Sequence, residues 1–201
     1  AFEKLTTNLK TELQGNQDNR TDDRIWKPKM GKDGTGYAVI RLLPGTNPDK
    51  TPWVRMYDHG FQGPTGKWYI ENSLTTIGQK DPVSEYNTSL WNSGIESNKD
   101  VARKQKRRTS YFANALILKD PDNSEHEGQV KMFRFGQKIF DKIMSVMQPE
   151  FADDTPVNPF DLIEGANFRI KIKIVSGYWN YDSSEFEKPS MLSDDDANMK
   201  S

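Results

Sequence analysis

Apolar and polar residues alternate along this chain in short runs rather than long blocks. The clearest run is Asn167-Phe-Arg-Ile-Lys-Ile-Lys-Ile174. Phe168, Ile170, Ile172 and Ile174 fall on one side and Arg169, Lys171 and Lys173 on the other, the period of a half-buried strand. Tyr37–Leu43 reads as a strand that follows a turn at Gly34–Gly36 and stops at Pro44-Gly45. Val54–Phe61 and Lys67–Ile70 flank the turn Gly63-Pro-Thr-Gly66. Tyr111–Leu118 is closed by Asp120-Pro-Asp-Asn123, and Gln129–Phe135 is a further strand. Ile139, Phe140, Ile143, Val146 and Met147 keep helical spacing and predict a helix over Gln137–Met147, ended before Pro149. Phe2, Leu5, Leu9 and Leu13 predict a second amphipathic helix at the start, too short to be stable without a surface to dock on. A polar linker follows it to about residue 23. Residues 72–98 are polar and read as an irregular excursion from the sheet. The stretch from Ser193, with Asp194-Asp-Asp196, reads as disordered. Strands dominate and do not alternate regularly with helices. The expected class is therefore mostly β (α+β), either a small antiparallel barrel or an α+β domain.

Composition narrows the setting. The chain has 201 residues, 34% of them hydrophobic, and its mean hydropathy is -0.85. No apolar run approaches the roughly 20 residues of a membrane span, and the start shows no signal-peptide pattern. Cysteine is absent, which removes disulfides and thiolate metal sites. These features predict a soluble, intracellular protein.

Charge changes the picture more. Basic and acidic residues nearly cancel, 28 against 29. Against that balance, Lys99–Phe112 packs six basic residues and one acid directly before two aromatics. Clustered cations neutralise phosphates, and aromatic faces stack on unpaired bases. The contributors are Arg103-Lys104, Lys106-Arg107-Arg108, the cationic side of the 167–174 strand, Arg134 between Phe133 and Phe135, and the cluster Tyr178, Trp179, Tyr181. A solvated basic loop or strand face is the plainer reading of each taken alone. No helix-turn-helix or zinc-finger spacing is present, so the expected ligand is a single strand bound with little sequence preference.

Enzyme signatures are weak. The chain has no phosphate loop, no Gly-x-Gly-x-x-Gly after a strand, and two histidines, His59 and His126. Asp153-Asp154 and Asp194–Asp196 lack partner carboxylates placed by any motif, while two-metal chemistry needs convergent ones. The reading is non-catalytic, with no cofactor. Two alternatives stay open: a metal-dependent nucleic-acid-processing enzyme, and a protein-interaction module using the aromatic patch.

Eight segments in order carry a resemblance: Tyr37–Pro44, His59-Gly-Phe61, Gly66–Glu71, Lys106–Asn114, Leu118–Pro121, Phe133–Gly136, Glu164–Phe168 and Val175–Tyr178. Over about residues 26–188 the chain resembles the replicative single-stranded DNA-binding proteins of T-even-type bacteriophages. The resemblance implies an OB-fold, a five-stranded barrel core with a small inserted subdomain at about 55–105 and a few helices, spanning 24–188. DNA would lie in a basic, aromatic-lined cleft between core and insert. By alignment the basic positions fall on Lys106, Arg107 and Arg108, with Arg41 and Arg134 nearby. Lys171 and Lys173 also match basic positions. The aromatic positions fall on Trp91, Tyr111, Phe133, Tyr178 and Tyr181. The family prototype binds zinc through one His and three Cys; here His59 matches the His while Ser73 and Ser84 stand at two cysteine positions. The third lies near Asp81-Pro82. Hydroxyls do not supply the thiolate zinc prefers, so no metal is expected, and packing by Trp68, Tyr69, Leu74, Ile77 and Val83 would hold the insert. The resemblance further implies cooperative coating of single strands in phage replication, recombination and repair, in the cytoplasm of the infected host. Residues 1–23 would contact a neighbouring protomer. The acidic tail, 189–201, would recruit replication and recombination proteins.

Overall fold

The computed structural model describes residues 22–192. The predicted N-terminal helix and the acid run at 194–196 lie outside the described residues. Among the described residues nine strands and three α-helices follow one another: β1 (Ile25–Trp26), β2 (Thr35–Leu42), β3 (Trp53–Gln62), β4 (Trp68–Asn72), α1 (Pro82–Asn92), α2 (Glu96–Lys104), β5 (Arg108–Lys119), β6 (Val130–Phe135), α3 (Gln137–Met147), β7 (Asn167–Val175), β8 (Tyr178–Asn180) and β9 (Glu185–Phe186). The class is mostly β with helices, as the strand-rich pattern predicts. The strands form one mixed sheet whose main path runs β1-β6-β5-β2-β7-β8. This path does not close on itself, so the hydrogen bonding among the described residues is that of an open sheet rather than the expected closed barrel.

β5 organises the molecule. One of its edges pairs antiparallel with β6 through Tyr111–Leu116. Its other edge is shared end to end: Arg108–Ala113 pair with β3, and Ala115–Lys119 pair with β2. β3 and β4 form a hairpin that carries the inserted segment. Side chains alternate along β5, so Tyr111, Ala113, Ala115 and Ile117 enter the core while Phe112 and Asn114 leave it. α3 covers the core with Ile139 and Ile143, an i,i+4 pair on its buried face. Trp26, Ile40, Leu42, Phe133, Phe135, Phe160, Phe168, Ile170 and Ile172 complete that core.

The segment expected to be irregular contains two helices. Asp81 caps α1 by accepting from Ser84 N, and Pro82 follows where its missing N–H costs nothing. α2 carries Glu96 in its first turn and Arg103 and Lys104 in its last, which suits the helix dipole at both ends. The two helices are polar because they pack mainly on each other; Ala102 is buried between them, and Asn87 Nδ2 donates to Gln105 O at 2.8 Å.

Candidate nucleic-acid interface

The outward face of β3, β5 and β6 forms the floor of a groove of about 250 Å³. Met56 and Asp58 come from β3, Arg108, Ser110 and Phe112 from β5, and Arg134 from β6. Ile70, Glu71 and Asn72 of β4 stand opposite. Register explains the grouping: Asp58 pairs with Arg108, Met56 with Ser110, and Phe112 with Arg134, so every second residue of three adjacent strands reaches the same face.

The two arginines are tied to one carboxylate. Arg108 pairs with Asp58 Oδ1, and Arg134 Nη2 donates to Asp58 Oδ2 at 3.2 Å. Arg134 also donates to Ser110 Oγ at 2.9 Å and lies over the Phe112 ring, 5.7 Å from its centroid. Arg108 rests on the backbone at Gly60. A Cβ at that position would overlap its guanidinium, so glycine is what lets the arginine lie close to the strand. Ser110 and Arg134 also line a neighbouring hollow of about 510 Å³ with Lys27, Lys138, Trp179 and Tyr181, so the two depressions meet at Arg134.

A second basic and aromatic patch lies on the helical pair. Trp91, Arg103, Lys106 and Arg107 line a hollow of about 640 Å³. Arg103 lies over the Trp91 ring at 5.4 Å and forms ion pairs with Glu96 and Asp100. Arg107 lies 3.7 Å from the Tyr57 ring centroid and donates to Thr75 Oγ1.

Three expected contact residues are instead parts of the interior. Arg41 is fully buried, and its Nη2 donates to Asp161 O and Ser190 O at 2.8 and 2.7 Å, tying late loops onto β2. Tyr111 stacks on Phe140 with centroids 4.1 Å apart, and its hydroxyl donates to Gln137. Phe133 packs against Trp26 and Phe135. These side chains offer no ring or charge to a ligand. Strand parity is the reason: Phe112, not Tyr111, faces outward. Asn114 on the same face is the signal in the sequence that marks it.

The cationic face of β7 is largely paired. Lys171 Nζ donates to Glu185 at 2.9 Å, and Arg169 pairs with Glu185 and Glu187, carboxylates brought alongside by β9. The ion pair with Lys171 comes first in holding the Glu185 carboxyl below its usual range. Lys173 is exposed opposite Asn180. Tyr178 is exposed at the β7–β8 turn, where Ser176 and Gly177 take positive φ, and Tyr181 is half-buried beside Trp179.

The positions aligned with the family's zinc ligands do converge. His59 and Ser73 are buried, and between them lies Asp81, also buried. One carboxylate gathers four donors: His59 Nε2 at 3.0 Å and Ser84 N at 2.8 Å on Oδ1, Ser73 Oγ at 2.9 Å and Leu74 N at 3.0 Å on Oδ2. Each donor bonds the Asp81 carboxylate directly, and the side chains at the aligned positions supply one imidazole and two neutral hydroxyls, with this one carboxylate beside them. That set does not fit a structural zinc site, which draws on thiolates and imidazoles around the ion. Among the described residues no three His, Cys, Asp or Glu side chains cluster as metal ligands. The expected apolar packing holds the insert only in part: Tyr69 packs on the Phe61 and His59 rings at 5.4 and 6.2 Å and Val83 is half-buried, but Trp68, Leu74 and Ile77 are 63%, 43% and 67% exposed. The role of Asp81 is what sequence reasoning missed, and its place as the N-cap directly before Pro82 is the signal that marks it.

Comparison with known proteins identifies the family. The family profile described as gp32 DNA binding protein like matches residues 34–200. The chain is 42% identical over 186 residues to the single-stranded DNA-binding protein of Enterobacteria phage T4, covering 90% of this chain and 60% of that protein. It is 43% identical over 176 residues to the corresponding protein of Enterobacteria phage T2, covering 85% and 57%. A third relative, from Enterobacteria phage RB70, is 41% identical over 95 residues, 45% of this chain and 77% of that protein. The chain thus spans less than two thirds of the length of the T4 and T2 relatives, and among its described residues no helix is long and apolar enough to cross a membrane. With the profile matched across most of its length, the chain belongs to the gp32-like family of DNA-binding proteins.

Proposed function

We propose that this chain binds single-stranded DNA without marked sequence preference, with the groove between β4 and the β3-β5-β6 face as its main contact. The observation that carries the reading is the pair Arg108 and Arg134 on one outward sheet face beside the Phe112 ring. Cations neutralise phosphates there, and the ring with Met56 and Ile70 offers apolar contact to bases. Trp179 and Tyr181 extend the surface past Arg134. Trp91, Arg103, Lys104, Lys106 and Arg107 form a second contact region, and Lys173 and Tyr178 an outlying one. Such binding is not catalytic: a protein that prefers single strands shifts duplex melting by mass action.

The domain division goes with this reading. Residues 24–188 serve as an OB-type core with an insert at about 55–105; β2, β5, β6 and β7 line one apolar core, while β3 and β4 carry the insert away from it. Residues 1–23 act as an arm for a neighbouring protomer, and 189–201 begin an acidic tail for replication and recombination proteins. The setting is phage DNA replication, recombination and repair in the cytoplasm of the infected host.

Titration of labelled oligo-dT at two salt concentrations, with duplex of equal length alongside, tests the proposal. Affinity should fall steeply with salt, by a slope of about 0.7 per phosphate neutralised, and the duplex should bind far more weakly. Equal affinity for both forms, or no salt dependence, would refute it. Persistent cleavage of the strand with Mg²⁺ would favour a processing enzyme instead.

A further inference from the structure

Asp58 is an anion at the centre of a surface read as an anion-binding groove. It is largely buried, with 13% of its side chain exposed, yet it sits against the two most accessible arginines of the floor, Arg108 at 51% and Arg134 at 38%. Its oxygens are divided between them, one to each. A backbone phosphate seated between two arginines would make the same two contacts. Glu71 lines the same groove. The groove therefore carries Arg108 and Arg134 against Asp58 and Glu71, a formal charge of zero where a strand's phosphates would rest.

Neither arginine depends on Asp58 alone for its position. Ser110 Oγ accepts twice from Arg134, at 3.2 and 2.9 Å, and the Phe112 ring lies beneath its guanidinium. Arg108 lies against the bare backbone of Gly60 and points Nη2 toward His59 O at 3.4 Å. Neutral partners thus hold both cations on the face, and the carboxylate adds charge compensation.

We propose that Asp58 is an internal stand-in for a DNA phosphate. It keeps Arg108 and Arg134 paired before a strand arrives, gives up its contacts to phosphate on binding, and so holds affinity below what the two arginines would provide. A coating protein must later be displaced from the strand, and a built-in competing anion keeps each contact exchangeable. This inference rests on the reading of the groove as the DNA site.

Asp58→Asn keeps the shape, leaves one acceptor oxygen in place of two and removes the charge. In the full chain it should tighten oligo-dT binding about tenfold at low salt and steepen the salt dependence. Glu71→Gln removes an equal charge from the same groove without touching either arginine, and it should tighten binding less than threefold. In an Arg108→Ala/Arg134→Ala background, Asp58→Asn should tighten binding no more than Glu71→Gln does. Binding that is unchanged or weaker in Asp58→Asn, while Arg108→Ala weakens it, overturns the role of Asp58 and leaves the groove standing. An equal gain from Glu71→Gln overturns it as well, by reducing the effect to bulk charge. If Arg108→Ala and Arg134→Ala bind as tightly as the parent, the groove reading itself fails and Asp58 with it. The wild-type chain gives a check independent of any variant's folding: the Asp58 carboxyl carbon resonance should shift on addition of oligo-dT, and a resonance that stays put under saturating strand overturns the exchange.

Discussion

Arg107 and Arg108 are neighbours in the chain, yet they serve opposite sides of the β3–β5 ladder. Arg107 lies on the Tyr57 ring, and Arg108 pairs with Asp58, the next residue of β3. A basic run that looks like one wall in sequence is divided by strand alternation into an insert-packing cation and a groove cation.

The two arginines should therefore separate in experiment. Arg108→Ala should weaken oligo-dT binding about tenfold and reduce the salt slope by about 0.7, with the thermal midpoint nearly unchanged. Arg107→Ala loses a cation–π contact and a hydrogen bond, and it should cost about 1 kcal/mol of stability. Paired salt titrations and thermal melts of the two variants measure the contrast.

The aromatic neighbours Tyr111 and Phe112 divide in the same way. Tyr111→Ala empties a stacked core position and should destabilise the fold by about 3–5 kcal/mol. Phe112→Ala should leave folding largely intact and lower single-strand affinity by about 1–3 kcal/mol, the scale of one base stack. Denaturant unfolding and oligonucleotide titration read the two outcomes.

Gly60 offers a test of placement rather than charge. Gly60→Ala puts a methyl group where the Arg108 guanidinium lies. The arginine is long enough to move, so the melting temperature should change little. Affinity for oligo-dT should fall several-fold, approaching that of Arg108→Ala, and combining the two substitutions should add little further loss.

The hub at Asp81 predicts how the insert responds to chelators and acid. A chelator such as EDTA should leave the melting curve unchanged. Asp81→Ala leaves His59, Ser73 and two backbone N–H groups without their partner and should cost about 3 kcal/mol, seen first as lost amide protection across 73–92. Burial opposes the Asp81 charge, but hydrogen bonds from Ser84, Ser73, Leu74 and His59 outweigh it and hold the carboxyl well below its ordinary 3.8. Its stabilising contribution is then complete above that value and is lost as the pH falls through the lower folded-state range. Acid melts of the parent and of Asp81→Asn should converge as the pH is lowered.

The sheet and α3 were legible because each depends on a local period. The alternation at 167–172 and the spacing of Ile139 and Ile143 are short-range patterns that tertiary contacts reinforce. Polar α1 and α2 bury almost nothing, so hydrophobic spacing could not show them, although the Asp81-Pro82 cap could. The face of β5 was ambiguous because Tyr111 and Phe112 are both large aromatics. The neutralisation of Arg169 and Lys171 was hidden for another reason: their carboxylates lie 14 or more residues later and come alongside only when β9 pairs with β7. Arg41 shows the same limit, since its partners are backbone carbonyls of distant loops.

Because β3 and β2 occupy successive lengths of a single edge of β5, the floor of the groove is a fixed plate. Widening the groove by swinging the insert would break the β3–β5 ladder from Trp53 to Asp58, which is continuous with the strand that threads the core. Only β4, held by β3 alone, is left to flex. The shape of the floor is thus set when the protein folds, and any change in the width of the groove falls to β4, its far wall.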